Sequence, residues 1–289
     1  MSHRAHAVSV LSRRRILEAL IRPGLYVAQT IGLVLAYLLV TGFISAVDSS
    51  GFDYALHPAY GMIGRALAGA FGEAFVERLF SEGPFLLVLY VALAPVLLCL
   101  SLGSVFHFGL DRKVGALELL ACGPADGTSY FLAALVKDIL LTALHLVVLL
   151  LFLLIGAALN NLVVGPSFSF NLIALFFLSV AIYSYGILSS CLTDGSASAI
   201  AVFLGLMLLF AVLLMGSFAA AGGYVRRLAG VLGWLLRWIS PLHYWRLALS
   251  FAEVGNWLMY SVAILLVTLL SAAVLVVSHL TMRARGVRP

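Results

Sequence analysis

Long uncharged runs alternate with short charged stretches along this chain. A run of at least 18–20 apolar residues free of charge is long enough to cross a bilayer as a helix. No charged residue lies between Arg22 and Asp48, which predicts a first span over about 25–46. None lies between Glu82 and Asp111, which predicts a second over about 84–106, with Pro84 in its first turn and Pro95 inside it as a kink. From Ile139 to Thr193 the chain is uncharged throughout, too long for one span. The polar cluster Asn160-Asn161 and Gly165-Pro166-Ser167 divides it into spans of about 131–157 and 170–192. Asp194-Gly195-Ser196 forms a turn, and spans over about 199–221 and 257–280 complete six. The first apolar run begins only after residue 22 and is longer than a signal-peptide core, so it reads as a retained span.

Three other stretches have helical periodicity. Residues 10–22 place Arg14, Glu18 and Arg22 at i,i+4 spacing, with Ile16, Leu17 and Leu20 on another side. That pattern fits an amphipathic helix lying on the inner membrane surface, within a segment 1–23. Residues 61–80 form a stripe of Ile63, Leu67, Phe71, Phe75 and Leu79, and 224–239 mix tryptophans with arginines. Both read as interfacial helices in outer loops 47–83 and 222–256.

Composition agrees with the pattern. Of 289 residues, 63% are hydrophobic and 10% charged, against roughly 25% charged in soluble domains, and mean hydropathy is +1.13. These values exclude a soluble globular, disordered or disulfide-stapled chain. The expected class is an all-α integral membrane protein forming a single transmembrane domain over 1–289. With six spans both termini share a side. If that side is cytoplasmic, eleven basic residues lie inside and six outside, so the positive-inside rule predicts N-in, C-in. The net charge of +5 then reflects membrane topology and not nucleic-acid binding.

Candidate chemistry is sparse. The chain has no phosphate-cradling G-x-x-x-x-G-K-[ST] loop, no H-E-x-x-H and no G-x-S-x-G. Cys99, Cys122 and Cys191 lack metal or disulfide spacing, and the seven histidines form no i,i+4 pair, so no metal site is expected. Histidines aside, no acid or base lies within a span except the Lys137-Asp138 pair near the inner end of the third, and that scarcity disfavours an ion-coupled carrier.

The loop between spans 2 and 3 differs from the others. It runs Asp111-Arg112-Lys113-Val114-Gly115-Ala116-Leu117-Glu118-Leu119-Leu120-Ala121-Cys122-Gly123-Pro124. A helix over 116–122 has under two turns and is marginal alone. It reads either as an ordinary charged loop or as a short helix whose leucines dock on a partner. The stretch resembles the E-K-E-R-G-T-L-E-x-L-L-x-x-P signature of the ABC-2 family of ABC-transporter permeases. Gly115, Leu117, Glu118, Leu120 and Pro124 match it, Arg112 matches a basic position and Asp111 replaces a glutamate. Lys113, Val114 and Ala116 depart from it. Ser240-Pro241-Leu242-His243-Tyr244 is similar to a run that many members carry before span 6. The chain also loosely resembles permeases of gliding motility and nitrous-oxide-reductase maturation.

The resemblance implies a six-span, N-in, C-in permease of a bacterial inner membrane, most relatives being exporters. It implies two permease subunits, identical or paralogous, and two separate ATPase subunits that hold the ATP and Mg. This chain then has no cofactor and is not itself an enzyme. Residues 111–124 become the coupling helix, with Glu118 the polar contact and Leu117 and Leu120 the apolar ones. Arg14, Arg15 and Glu18 become a second ATPase-facing surface, and Tyr183, Ser184 and Tyr185 part of the path of an amphipathic cargo. The alternatives are a secondary carrier or channel, or a membrane enzyme pairing a serine with His145.

Overall fold

The computed structural model describes residues 3–50, 65, 84–113, 127–219 and 237–284. Eight helices are described: α1 His3–Ile21, α2 Pro23–Ser50, α3 Phe85–Lys113, α4 Gly127–Leu159, α5 Pro166–Leu192, α6 Ser196–Ala219, α7 Pro241–Glu253 and α8 Trp257–Ala284. There is no strand among the described residues. Six helices, α2 to α6 and α8, contain apolar stretches of 19 to 28 residues. At 1.5 Å per residue each reaches about 30 Å, enough to cross the hydrocarbon core. The six coincide with the six expected spans, and the chain is built as an integral membrane protein. All of the expected helix over 61–80 except residue 65, most of that over 224–239 and the short helix over 116–122 lie outside the described residues.

Proline marks three helix starts. Pro23, Pro166 and Pro241 each open a helix, where the missing N–H costs nothing. At Pro23 this makes a corner. The ladder of α1 ends with Arg22 N–H donating to Ala19 O at 3.3 Å, and α2 starts at the next residue. Pro95 lies inside α3, which continues past it.

Helix α5 is the hub. It packs against α3, α4, α6, α7 and α8, and 61% of its span is buried. Its buried face includes Ala174, Ser179, Ala181, Ser184, Gly186, Ser189 and Ser190, small residues that let neighbouring backbones approach. The serines spend their hydroxyls on carbonyls of their own helix, as Ser184 Oγ does on Val180 O at 2.9 Å. Elsewhere two glycines set the spacing. A Cβ on Gly32 would stand 2.3 Å from Ala92 O, and one on Gly109 would stand 2.9 Å from Ser196 Cα. Helices α2 and α3, and α3 and α6, therefore meet backbone to backbone.

Connectivity brings the starts of α2, α4 and α6 to one end of the bundle, with the ends of α3, α5 and α8. A core of Leu25, Phe108, Tyr130, Tyr183, Cys191 and Met282 fills that end. The opposite end is filled by Phe43, Phe85, Leu89, Leu153 and Phe168. The outer faces remain apolar: Val34 and Leu38 on α2, Leu208 and Val212 on α6, and Leu265 and Leu269 on α8 are exposed. A soluble protein would not leave such continuous surface to water. Helix α7, at 13 residues, is too short to span. It lays Pro241, Tyr244 and Ala248 on the bundle and reaches α5, α6 and α8.

Candidate functional site

The charged side chains inside the bundle gather at the end where α1 meets α2. On α1, Arg14 and Glu18 pair at i,i+4 with Nε to Oε1 at 2.9 Å, and the Arg14 side chain is 77% exposed. Arg15 is one residue, hence about 100°, further round the helix. Its side chain is only 17% exposed and turns inward. Arg15 Nη2 donates to Asp111 Oδ2 at 3.2 Å, and its guanidinium lies 4.0 Å from the centroid of the Tyr130 ring. The Tyr130 hydroxyl donates to the same Asp111 oxygen. Burial pulls the Arg15 pKa below its ordinary value, while the carboxylates of Asp111, Asp138 and Glu18 oppose that shift. The guanidinium stays charged.

This node joins three helices across long sequence distances. Asp111 sits in the last turn of α3 and Tyr130 in the first turn of α4. They flank the 114–126 segment, so its two ends are tied to each other and to α1.

A second polar layer lies deeper. Lys137 Nζ donates to Ser104 Oγ at 3.0 Å and pairs with Asp138 Oδ1 at 2.8 Å, and Ser104 donates to the other carboxylate oxygen. The Asp138 side chain is 1% exposed and that of Lys137 12%. One turn further, Thr142 and Tyr183 share a hydroxyl–hydroxyl bond of 2.5 Å. Beyond it, His145 Nδ1–H donates to Leu141 O at 2.6 Å. Tyr130, Lys137-Asp138, Thr142 and His145 therefore form one polar stripe on α4 facing α3 and α5.

Between the α1–α2 corner, α3 and Lys137 of α4 is a cavity of about 230 Å³. Arg15, Arg22, Lys137, His107, Glu18 and Asp111 supply its polar lining. Arg22 Nη1 donates to His107 Nε2. An arginine cannot accept, so this His107 is neutral and carries its proton on Nδ1. No group of three or more His, Cys, Asp or Glu among the described residues is arranged to hold a metal ion.

The expected site residues fall in different places. Asp111 belongs to the node and Arg112 to the last turn of α3. Gly115, Leu117, Glu118, Leu120 and Pro124 lie outside the described residues. Arg14 and Glu18 are on the exposed face of α1, but Arg15 is turned away from them into the bundle. Tyr183, Ser184 and Tyr185 are 2%, 0% and 3% exposed, inside a single chain. Tyr185 donates to Ile239 O at 2.5 Å. Residue patterns missed the roles of Tyr130, Ser104, Arg22 and His107. Only the α4 stripe carried a signal, as polar residues recurring at helical spacing within an apolar run.

Comparison of the chain with protein-family models, curated proteins and solved structures gives no match. The functional reading therefore rests on the chain's own residues.

Proposed function

We propose that this chain is the membrane subunit of an ABC transporter of the ABC-2 type. In this reading it acts in a bacterial inner membrane, with N- and C-termini inside, as one of two permease subunits of an exporter. Two separate ATPase subunits hold ATP and Mg. They seat residues 111–124 in a cleft, with Leu117 and Leu120 as apolar contacts and Glu118 as the polar one. Arg14 and Glu18, on the exposed face of α1, add a second contact. The loop signature supports the family, and the absence of a phosphate loop fits an ATPase on another chain.

The observation that carries the reading is the shared carboxylate of Asp111. It receives Arg15 from α1 and Tyr130 from α4 while itself belonging to α3. A displacement of the 114–126 segment cannot then be absorbed by one helix. It moves α1, α3 and α4 together, and α3 and α4 both pack on the hub α5. Closure of the ATPase dimer on ATP would in this way tilt the bundle and open the path between permeases.

The test is co-purification of the tagged chain with an ATPase encoded beside it, and stimulation of that ATPase by the chain. The double variant Glu118→Arg, Leu120→Asp is expected to abolish both. Unchanged assembly and ATP turnover in that variant would sink the coupling-helix assignment.

An ion-coupled carrier is the second reading, favoured by the buried Lys137–Asp138 pair, since ionisable groups inside spans commonly serve ion or proton paths. It predicts transport that needs an ion gradient and no ATPase subunit.

A further inference from the structure

The cavity at the α1–α2 corner has features that the coupling reading does not use. Its volume of about 230 Å³ is below the 300–1,000 Å³ typical of pockets that enclose a whole drug-sized ligand. It suits a headgroup or a small ion. Arg15, Arg22 and Lys137 face Glu18 and Asp111 across it, and Glu18 also pairs with Arg14 and Lys137 with Asp138, so four cations meet three carboxylates and one positive charge is in excess. The excess has a location. Arg15 is engaged by Asp111, and Lys137 by Asp138. Arg22 is bonded to a neutral imidazole nitrogen, so its charge meets no carboxylate in that contact. Its remaining guanidinium N–H groups are donors suited to an oxyanion. The Nδ1–H of His107 adds a neutral donor beside them.

Apart from Ser104, which receives Lys137, the rest of the wall is apolar and includes Ala19, Leu25, Leu100 and Cys99. Its depth is set by sequence, since Arg22 directly precedes Pro23, the first residue of the first span. Basic residues at that boundary stand at the level of lipid phosphates.

We propose that this cavity binds one singly charged phosphate ester, held by Arg22 with His107 as the second donor, and with Leu25 and Leu100 beside the first carbons attached to it. An anionic phospholipid headgroup and a soluble phosphate ester share this chemistry. The assignment does not depend on an ATPase partner.

The experiment uses the full chain, purified and delipidated in detergent. It is titrated with dioleoyl phosphatidylglycerol, and bound lipid per chain is counted by native mass spectrometry. Glycerophosphoglycerol, the soluble diester with the same single charge, is the competitor. One saturable lipid per chain is expected. Arg22→Gln removes a charge-assisted contact and should weaken it about tenfold to a hundredfold. Arg13→Gln removes the same charge from the exposed side of α1 and should change it less than about twofold. His107→Phe removes a donor without changing charge and should weaken binding several-fold, so the result does not hang on Arg22→Gln alone. Displacement by glycerophosphoglycerol at equal concentration would assign a soluble ester. Failure to displace would assign the lipid. Equal losses in Arg13→Gln and Arg22→Gln, loss in neither, or no saturable binding would overturn the site.

Discussion

Replacing Asp111 by Asn tests whether the node transmits force or merely fills space. The substitution keeps the shape and leaves an oxygen for the Tyr130 hydroxyl, but removes the charge that Arg15 faces. The side chains are 17% and 33% exposed, between the two limits for ion pairs. Exposed pairs contribute about 0–1 kcal/mol, and breaking a fully buried one costs about 3–5 kcal/mol. Asp111→Asn should therefore cost about 1–2 kcal/mol. Arg15→Gln also loses the stacking on Tyr130, 4.0 Å away, which adds roughly 0.5–1 kcal/mol. Once one partner is gone the other has less to lose, so the double variant should cost about 1 kcal/mol less than the sum. Denaturant unfolding of the chain in detergent, followed by circular dichroism, measures all three. In the assembled complex, the same variants should lower coupling of ATP turnover more than they lower assembly. Energies that add to within about 0.3–0.5 kcal/mol would refute the node as a coupled unit.

Lys137→Gln leaves the buried Asp138 uncompensated and should destabilise by about 3–5 kcal/mol, whereas Lys137→Met with Asp138→Leu should recover most of that loss; a double variant as unstable as the single would show that more than the ion pair is at stake. Gly32→Ala drives a methyl toward Ala92 O, so α2 and α3 must separate, at about 1–3 kcal/mol in the same unfolding assay; wild-type stability would mean the two backbones are not in contact. Burial, then Arg237 and Arg246, hold the pKa of His243 below its ordinary 6.5, so the unfolded chain takes up this proton first as pH falls. Its contribution to stability is constant above that value and is lost as pH drops through it toward the lower folded-state value. His243→Gln should flatten this part of the melting-temperature profile, and an unchanged slope would refute the assignment.

The spans were readable because charge is expensive in hydrocarbon, and its absence shows without any knowledge of packing. Their ends were less readable. Charge at Asp111 suggested that the second span stops near Phe106, yet α3 runs on to Lys113. Within the bundle Asp111 finds Arg15 and Tyr130, so a carboxylate that would be costly alone is tolerated inside the helix. That pairing joins residues 96 apart in sequence, and no local period encodes it. The orientation of Arg15 was only half legible. Grouping it with Arg14 and Glu18 ignores that adjacent helical residues face different ways. The tyrosines of α5 looked suited to a path because aromatic hydroxyls in apolar helices attract that reading. Inside the bundle Tyr183 bonds the Thr142 hydroxyl and Tyr185 the carbonyl of Ile239, partners that no local sequence pattern encodes.

The central position of α5 also bears on how the chain is made. It is the fourth span synthesised, but its partners α6, α7 and α8 come later. At about 5–20 residues per second, the stretch between Leu192 and Ala284 leaves part of the hub uncovered for on the order of ten seconds. The surface that α8 later covers contains Phe177 and Ala181, which lipid tolerates. The serines there are already bonded to their own helix, as with Ser184. The hub serines can therefore wait in the bilayer already bonded, while the Tyr185 hydroxyl gains its acceptor, Ile239 O, only when the later segment arrives.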